Sequence, residues 1–358
     1  MNSVMKPDIR HISEKQLVDF LESVGEKRFR KKQIYEWLWK KNVLTFEEMG
    51  NLSMKLIEKL KEQFTFLKTE IESEAISSDG TAKFIFRLHD GRAIEGVLIP
   101  TQSRVTACIS SQVGCPLKCA FCATGTMGFI RNLHFSEILD QYALMNRRAL
   151  ELYEIPISNI VFMGMGEPLL NYDNVMQSIN LLTSPEGNQL SPSRITLSTV
   201  GVVDGIIKMA DEGFKPGLAV SVHIPDNLLR SEIMPINRKF PLPELQSALQ
   251  YFYQKTGQRI TIEYVLLQNI NDSVKSAERL CAFCRPFPVK INLIEFNETK
   301  SRFSKSPREN MIRFKEYLES KNLIVNVRQS RGKDIAAACG QLVKNRKELY
   351  CYYLTIYK

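Results

Sequence analysis

Hydrophobic positions follow two different periods along this chain, and the first change falls near residue 70. Before it, apolar residues recur every three or four positions, which is the spacing of one face of a helix. Ser13 suits the N-cap of the first helix and Gly25 suits its end. Three helices are expected, over 13–24, 31–42 and 51–64. The pattern therefore predicts a small helical domain over residues 1–70.

A β-hairpin is predicted next, over residues 71–100. The segments KFIFRL and AIEGVLIP are strand-like, and the Asp-Gly pair in the HDGR between them is a turn signal. Glu95 stands among the apolar residues of the second strand. An acid at such a position either faces water on the open side of the hairpin or has a function.

Beyond residue 101, strand-like segments alternate with helical ones. Such alternation is typical of an α/β protein with a parallel sheet, and this number of units predicts a full or partial (β/α) barrel. We expect this core over residues 101–345 and a short tail over 346–358. The strands are predicted at 105–112, 159–166, 194–200, 217–223, 260–267, 290–297 and 323–330.

Polar and cysteine residues gather where these predicted strands end. In barrels, the chemistry lies on the loops that follow the carboxyl ends of the strands. Six separate features fall there, so we expect an active site at the barrel mouth. They are the cysteines of GCPLKCAFC, the segment MGMGEP, Ser198, the segment SVH at 221–223, Asn297 and Cys339.

Composition limits the class of protein. Hydrophobic residues make up 44% of the 358 and charged residues 24%, as in ordinary globular proteins. No run approaches the roughly 20 apolar residues of a membrane span, and the first residues lack the apolar core of a signal peptide, so no membrane association and a cytoplasmic location are expected. Eight cysteines in such a protein favour metal or redox chemistry over disulfides.

The net charge of +9 is compatible with a polyanionic partner. Residues 26–41 hold seven Lys and Arg against two acids, interleaved with aromatic residues, and the last residues of the chain repeat this mixture. Phosphate contacts and base stacking need these residue types. A solvated helix face with an apolar core stripe explains residues 26–41 equally well, because Ile34, Trp37 and Leu38 have helical spacing.

Cys115, Cys119 and Cys122 form a C-x₃-C-x₂-C motif with three thiols rather than four. Structural zinc sites are closed by four ligands, commonly in two pairs, and no second pair lies at a suitable distance. Cys281 and Cys284 are expected to be buried thiols of a helix. Thiolates also bind iron–sulfur clusters, and three of them leave one iron of a four-iron cluster open.

GCPLKCAFC resembles the signature of radical S-adenosylmethionine (SAM) enzymes, and MGMGEP resembles their Gly-Glu segment. Further ordered segments over about residues 10–342 resemble the RlmN/Cfr family of radical-SAM RNA methyltransferases. They are residues 110–133, 162–175, 195–202, 218–223, 230–242 and 336–342. The resemblance implies a partial parallel barrel of the radical-SAM type with an N-terminal helical RNA-binding domain, a 4Fe-4S cluster and SAM.

The resemblance also implies a role for each matching residue. Cys115, Cys119 and Cys122 would hold the cluster. Cys339 would be S-methylated, Cys108 would be its redox partner, and Glu95 would accept a proton. The residues implied to hold SAM are Gly166, Glu167, Ser198, Ser221, Val222, His223 and Asn297. Cys351, in the aromatic tail, has no counterpart.

The chemistry explains these residue types. Carbon 2 of adenine is electron-poor and is no nucleophile toward the methyl group of SAM, so the implied route is radical. A methyl group on Cys339 loses a hydrogen atom to a 5′-deoxyadenosyl radical and adds to the ring. Glu95 then removes a proton, and Cys108 releases the RNA by forming a disulfide with Cys339, which must be reducible.

Within the family, GTMGFIRNL and GEPLLNYDN resemble the branch that methylates carbon 2 of adenine in 23S rRNA and tRNA. The implied partners are these RNAs and an electron donor such as flavodoxin or ferredoxin, and a monomer is expected. Three alternatives remain: a carbon-8 rRNA methyltransferase of the resistance branch, a radical-SAM enzyme acting on another substrate such as a peptide, and a non-catalytic zinc-containing RNA-binding protein.

Overall fold

The computed structural model describes residues 6–299 and 301–342. The predicted tail over 346–358, including Cys351, lies outside these residues, as do the last three positions of the predicted core. The described part contains eleven α-helices: α1 Glu14–Ser23, α2 Arg30–Tyr35, α3 Met54–Gln63, α4 Ala123–Thr126, α5 Phe135–Tyr153, α6 Tyr172–Thr183, α7 Val203–Asp211, α8 Asn227–Ile233, α9 Leu242–Thr256, α10 Val274–Cys284 and α11 Arg308–Ser320.

Twelve strands form two sheets within the described residues. The strands are β1 Glu70–Ile76, β2 Ala82–Arg87, β3 Ala93–Thr101, β4 Arg104–Cys108, β5 Gln112–Gly114, β6 Phe129–Asn132, β7 Ile157–Phe162, β8 Ile195–Thr199, β9 Gly217–Ser221, β10 Ile260–Leu266, β11 Val289–Glu295 and β12 Ile324–Arg328. Ten of them make one sheet in the order β1-β2-β3-β4-β7-β8-β9-β10-β11-β12, and β5 pairs with β6 as a small ribbon.

The large sheet has a parallel part and an antiparallel extension. From β4 onward neighbouring strands are parallel, and helices connect them. Strands β1, β2, β3 and β4 pair antiparallel. Because β1 and β12 are the two edges of the sheet in the described residues, the barrel is partial, as predicted.

The helices before β1 pack around their own apolar residues. Ser13 caps α1 and forms a capping box with Gln16, as the sequence suggested. Residues 30–40, by contrast, change from an α-helix to a wider π-helical turn at Glu36–Lys40. Ile34 and Leu38 are buried. The apolar-stripe interpretation of 26–41 is therefore correct for these positions, and the basic residues lie around them.

A buried ion-pair network joins this helical unit to the barrel. Arg10 donates hydrogen bonds to Asp8 over 2.8 Å and to Asp140 on α5 over 2.5 Å. All three side chains are almost fully buried. Burial raises the pKa of Asp140 to about 6, although Arg10 opposes the shift. A buried guanidinium held by two carboxylates requires close docking of the two units.

The predicted hairpin is only part of the antiparallel extension. A further strand, β1, precedes it, and all of these strands continue the barrel sheet rather than forming a separate element. The sequence did not indicate β1 because EIESEAI has few apolar residues, and its burial in the structure is correspondingly low.

None of the helices in the described ranges is long and apolar enough to cross a membrane.

Candidate active site

A cavity opens at the carboxyl ends of the parallel strands, with about 1040 Å³ of space free of protein atoms including its open mouth. A cavity of this size is in the range of small-molecule and cofactor sites. Ten of the residues singled out in the sequence line it: Cys115, Cys119, Cys122, Gly166, Glu167, Ser198, Ser221, His223, Asn297 and Cys339. They come from distant parts of the chain, and the strand ends bring them together, as the barrel rule predicts.

The loop that carries the three cysteines is held by backbone hydrogen bonds from three directions. Cys115 N–H donates to the carbonyl of Gly128 over 3.0 Å, and Ala120 N–H to that of Ile233 over 2.9 Å. Ala123 N–H donates to the carbonyl of Gly340 over 2.8 Å. The last bond ties this loop directly to the loop of Cys339.

The thiols of this loop are set in an apolar environment. Burial raises the pKa of Cys115 to about 12 and raises that of Cys119 further, with neighbouring thiols contributing. Cationic iron reverses such shifts, because a thiol that coordinates a metal is deprotonated. Among the described residues, no three His, Cys, Asp or Glu are arranged to hold a single metal ion. Three thiols that line one cavity fit a cluster with one iron left open.

Gly166 and Glu167 follow β7 and form the neighbouring wall. Gly166 has φ +100°, and a Cβ there would lie 2.6 Å from the Cβ of Gln112, so glycine is required. Glu167 is buried, and its two oxygens accept N–H groups of Leu169 over 3.1 Å and Val200 over 2.9 Å. Burial raises the pKa of its carboxyl to about 7 despite these bonds. A buried carboxylate at the cavity wall fits the amino group of SAM.

The hydrogen bonding and burial of His223 in the cavity wall determine which ring nitrogen carries the proton. Its Nδ1 lies 3.1 Å from the N–H of Val265 and accepts that hydrogen bond. Burial lowers its pKa to about 3, so the ring is neutral and its proton is on Nε2. The backbone adopts φ +53°, and the ring packs edge-on against Phe121 at 5.0 Å. The side chain can therefore donate a hydrogen bond to a bound group.

The other residues expected to hold SAM differ in position. Ser198 on β8 and Ser221 at the end of β9 line the cavity. Asn297 does so too, and its Nδ2 donates to the carbonyl of Cys339 over 3.2 Å. Val222 is fully buried in the core and is not among the lining residues.

Cys108 and Cys339, the two cysteines with an expected role outside the cluster loop, are close enough to interact electrostatically. Cys108 is buried at the end of β4, and burial together with the neighbouring Cys339 raises its pKa to about 12. Cys339 is solvent-exposed through the cavity it lines, yet the surrounding protein raises its pKa. The Arg328 guanidinium opposes both shifts. Two thiols near one cation can undergo thiol chemistry with each other.

Glu95 is 1% exposed, so the alternative that it faces water is wrong. Its carboxylate pairs with Lys83 Nζ at 3.0 Å, and its backbone carbonyl accepts a hydrogen bond from Ser110 Oγ over 2.6 Å. It does not line the cavity itself.

Cys281 and Cys284 lie in α10, where Cys284 is buried and Cys281 half-buried, close to expectation.

Three polar residues of the site had no predicted role. Arg230 is 1% exposed and donates to the carbonyls of Val222 over 3.2 Å and Val200 over 2.6 Å, which joins two strand ends. Glu263 on β10 lines the cavity and lies 3.5 Å from Arg328. Glu263 lies within an apolar strand, the same signal that distinguished Glu95, and could have been found by it.

Together, the partly closed parallel barrel, the three-cysteine loop and the Gly-Glu wall define a radical-SAM protein. The family profile of the radical SAM superfamily matches residues 109–284. A crystal structure of a radical SAM methyltransferase from Sphaerobacter thermophilus is similar, with a TM-score of 0.88 and 38% identity over 94% of this chain and 99% of that one.

Related sequences show to which family of radical-SAM proteins the chain belongs. Residues 8–66 match the profile of the ribosomal RNA large subunit methyltransferase N-terminal domain. Proteins described as "Probable dual-specificity RNA methyltransferase RlmN" are 48% identical in Flavobacterium psychrophilum, over 95% of this chain and 98% of that protein, and 44% identical in Thermotoga neapolitana, over 94% and 97%. The chain belongs to the RlmN family of radical-SAM RNA methyltransferases.

Proposed function

We propose that this enzyme methylates carbon 2 of adenine, in 23S rRNA at the peptidyl transferase centre and in tRNA beside the anticodon. The observation that carries the proposal is that Cys339 lines the same cavity as the three cysteines of the cluster loop, with Cys108 beside it. The dual specificity named in the relatives supports both RNA classes. Phe129 and Pro168, which resemble the carbon-2 branch, support the position on the ring.

Cys115, Cys119 and Cys122 would hold a 4Fe-4S cluster, and Glu167 would hold the amino group of SAM. Cluster and SAM, when bound, supply the 5′-deoxyadenosyl radical. Ser198, Ser221, His223 and Asn297 line the cavity around that ligand. His223 Nε2 would be the ring atom free to donate a hydrogen bond to it, because Nδ1 already accepts one from Val265.

Cys339 is the carrier of the methyl group. Its sulfur bonds to the methyl carbon of one SAM molecule, and S-adenosylhomocysteine leaves with the electron pair of the broken bond. Arg328 favours the thiolate form that this step needs. After loss of one hydrogen atom from the methyl group, the carbon on Cys339 bonds to carbon 2 of adenine. Exposure of Cys339 through the cavity gives the RNA access.

Glu95 and Cys108 complete the reaction. The Glu95 carboxylate takes the proton from carbon 2. The adduct radical also gives up one electron, for which the oxidised cluster would be the acceptor. The Cys108 thiolate then bonds to the Cys339 sulfur, the sulfur–carbon bond of Cys339 breaks with its electron pair on the methylene carbon, and that carbon takes up a proton to become the methyl group of the released RNA. The resulting disulfide needs an external thiol or electron donor to reduce it. Flavodoxin or ferredoxin would supply electrons, and we propose a cytoplasmic monomer.

The test is an anaerobic incubation of the iron-loaded enzyme with SAM, a reductant and either 23S rRNA fragments or tRNA. Mass spectrometry of the digested RNA should find 2-methyladenosine from both. Cys339→Ala should retain iron, because the three cluster cysteines are intact, and should give no methylated nucleoside. If neither RNA is modified by the wild type, the proposed function is wrong.

The three alternative functions give different results when the digested RNA and the purified protein are analysed. A carbon-8 enzyme would give 8-methyladenosine. An enzyme acting on a peptide would modify neither RNA. A zinc protein would contain about one zinc and no acid-labile sulfide, whereas we expect about four irons per chain.

A further inference from the structure

Lys83 is a buried lysine that the reaction above does not use. Its side chain is 6% exposed, in the middle of the antiparallel extension. An ammonium group is rarely buried unless it is paired, because its loss of hydration is costly. Lys83 Nζ has two partners: the Glu95 carboxylate at 3.0 Å and the backbone carbonyl of Ala336 at 3.1 Å.

Strand register places Lys83 on the same face of the sheet as the reacting residues. Lys83 pairs with Val97, and Val97 pairs with Cys108. Residues directly opposite each other across strands share a face, and Glu95, two residues from Val97, shares it too. Gly96 faces the other way, since a Cβ there would meet Met145 on α5 at 3.2 Å. The face of Lys83, Glu95 and Cys108 is therefore opposite α5.

The second partner of Lys83 belongs to the loop of Cys339. Ala336 has φ +51°, a left-handed conformation that needs support from its surroundings. The turn after β1 holds the same segment: Gly332 N–H donates to Asp79 over 3.0 Å, and Ser77 Oγ donates to Asp334 over 2.6 Å. Lys83 is the point at which this anchored segment meets Glu95.

We propose that Lys83 is a positioning residue for RNA release: it favours the ionised form of Glu95 and holds its carboxylate in one orientation, and it fixes the segment that leads into Cys339. This inference deepens the proposed function and rests on it. The other titratable or charged groups near this face are Cys108 on β4, Arg328 at the end of β12 and Cys339 in the next loop. Lys83 Nζ is in direct contact with the Glu95 carboxylate.

Lys83→Met removes the cation and both contacts. A neighbouring cation favours the ionised form of a carboxyl, so loss of the Lys83 ammonium should make Glu95 a poorer proton acceptor in this variant. At pH 7 release of RNA should slow by about tenfold or more. The covalent adduct between Cys339 and RNA should accumulate on denaturing gels, and higher pH should restore the rate. Lys83→Arg keeps the charge and should keep most of the activity.

The design separates positioning from folding. Cys339 methylation, iron content and thermal midpoint are measured in each variant, and Lys208→Met, which removes an exposed pair with Asp173, is the matched control. Where Lys83→Met does not fold, Lys83→Gln removes the charge and keeps a donor. The expected signature is an alkaline shift of the release step in the neutral variants alone.

A release rate in Lys83→Met within twofold of the wild type, or slowed equally at every pH, would overturn the inference about Lys83. In that case the wild type still makes 2-methyladenosine. A wild type that makes none contradicts the proposed function instead, so the two failures are distinguishable.

Discussion

The parallel part of the sheet and its antiparallel extension present their functional residues in different ways. In the parallel part, Glu167 and Asn297 follow the strands, on loops around an open cavity. In the extension, Glu95 and Lys83 lie within strands, on a buried face. The first arrangement is open to ligands that enter and leave. The second holds an ion pair in one orientation, because strand pairing fixes both backbones.

The largest effect that separates the two regions is expected from Cys119→Ala, in the parallel part. Two thiols cannot hold the cluster that three would hold, so iron content and RNA methylation should both fall to background. The thermal midpoint of the variant is measured as well, as the control for folding. Retention of about four irons in the variant would contradict the assignment of the cysteine loop.

Glu95→Gln tests the extension and should leave the parallel part intact. The amide cannot accept the proton, and a general base contributes about 10²–10⁴-fold, so release of methylated RNA should slow by that factor. Iron content, SAM binding and Cys339 methylation should match the wild type. If Glu95→Gln instead lost SAM binding, the division between the two regions would be wrong.

A smaller effect is expected from Glu167, seen as a dependence of stability on pH. Its folded pKa is about 7 against 4.5 for an ordinary Glu, so the folded state holds this proton more tightly than the unfolded state. Without SAM, the free energy of unfolding should therefore fall by on the order of 3 kcal/mol as the pH rises from about 4.5 to 7. Glu167→Gln should lack this loss.

The measurement for Glu167 is denaturant unfolding of both proteins at pH 5 and pH 8 without SAM. Groups shared by the two proteins, such as Asp140 and His134, cancel in the comparison. The same pH dependence in both proteins would show that Glu167 is not the group responsible. SAM binding should also weaken in the variant, because the carboxylate that pairs with the amino group is lost.

The contrast between the regions also explains what the sequence could predict. In the parallel part, a strand's end was visible as the change from apolar to polar residues, and the barrel rule then brought Cys115, Gly166 and Ser198 to one place. The helical unit was equally visible, with the Ser13 cap found correctly. Local periodicity was enough for both.

Contacts between distant residues were not accessible in the same way. The sequence showed that Glu95 was unusual, but its partner Lys83 depends on the register of β2 against β3. Arg230 binds carbonyl groups, which every residue has, so nothing in the sequence marks those partners. The strand β1 was missed because its stability comes from pairing rather than from apolar side chains.

The most direct test of Cys339 as the methyl carrier follows the methyl group from its sulfur to the RNA. The enzyme is first loaded with SAM that carries a CD₃ methyl group, freed of that SAM, and then given unlabelled SAM, reductant and tRNA for one turnover. We expect 2-methyladenosine with two deuterium atoms in its methyl group, because Cys339 supplies the carbon after one deuterium is removed. A first-turnover product with no deuterium, or with three, would contradict Cys339 as the carrier.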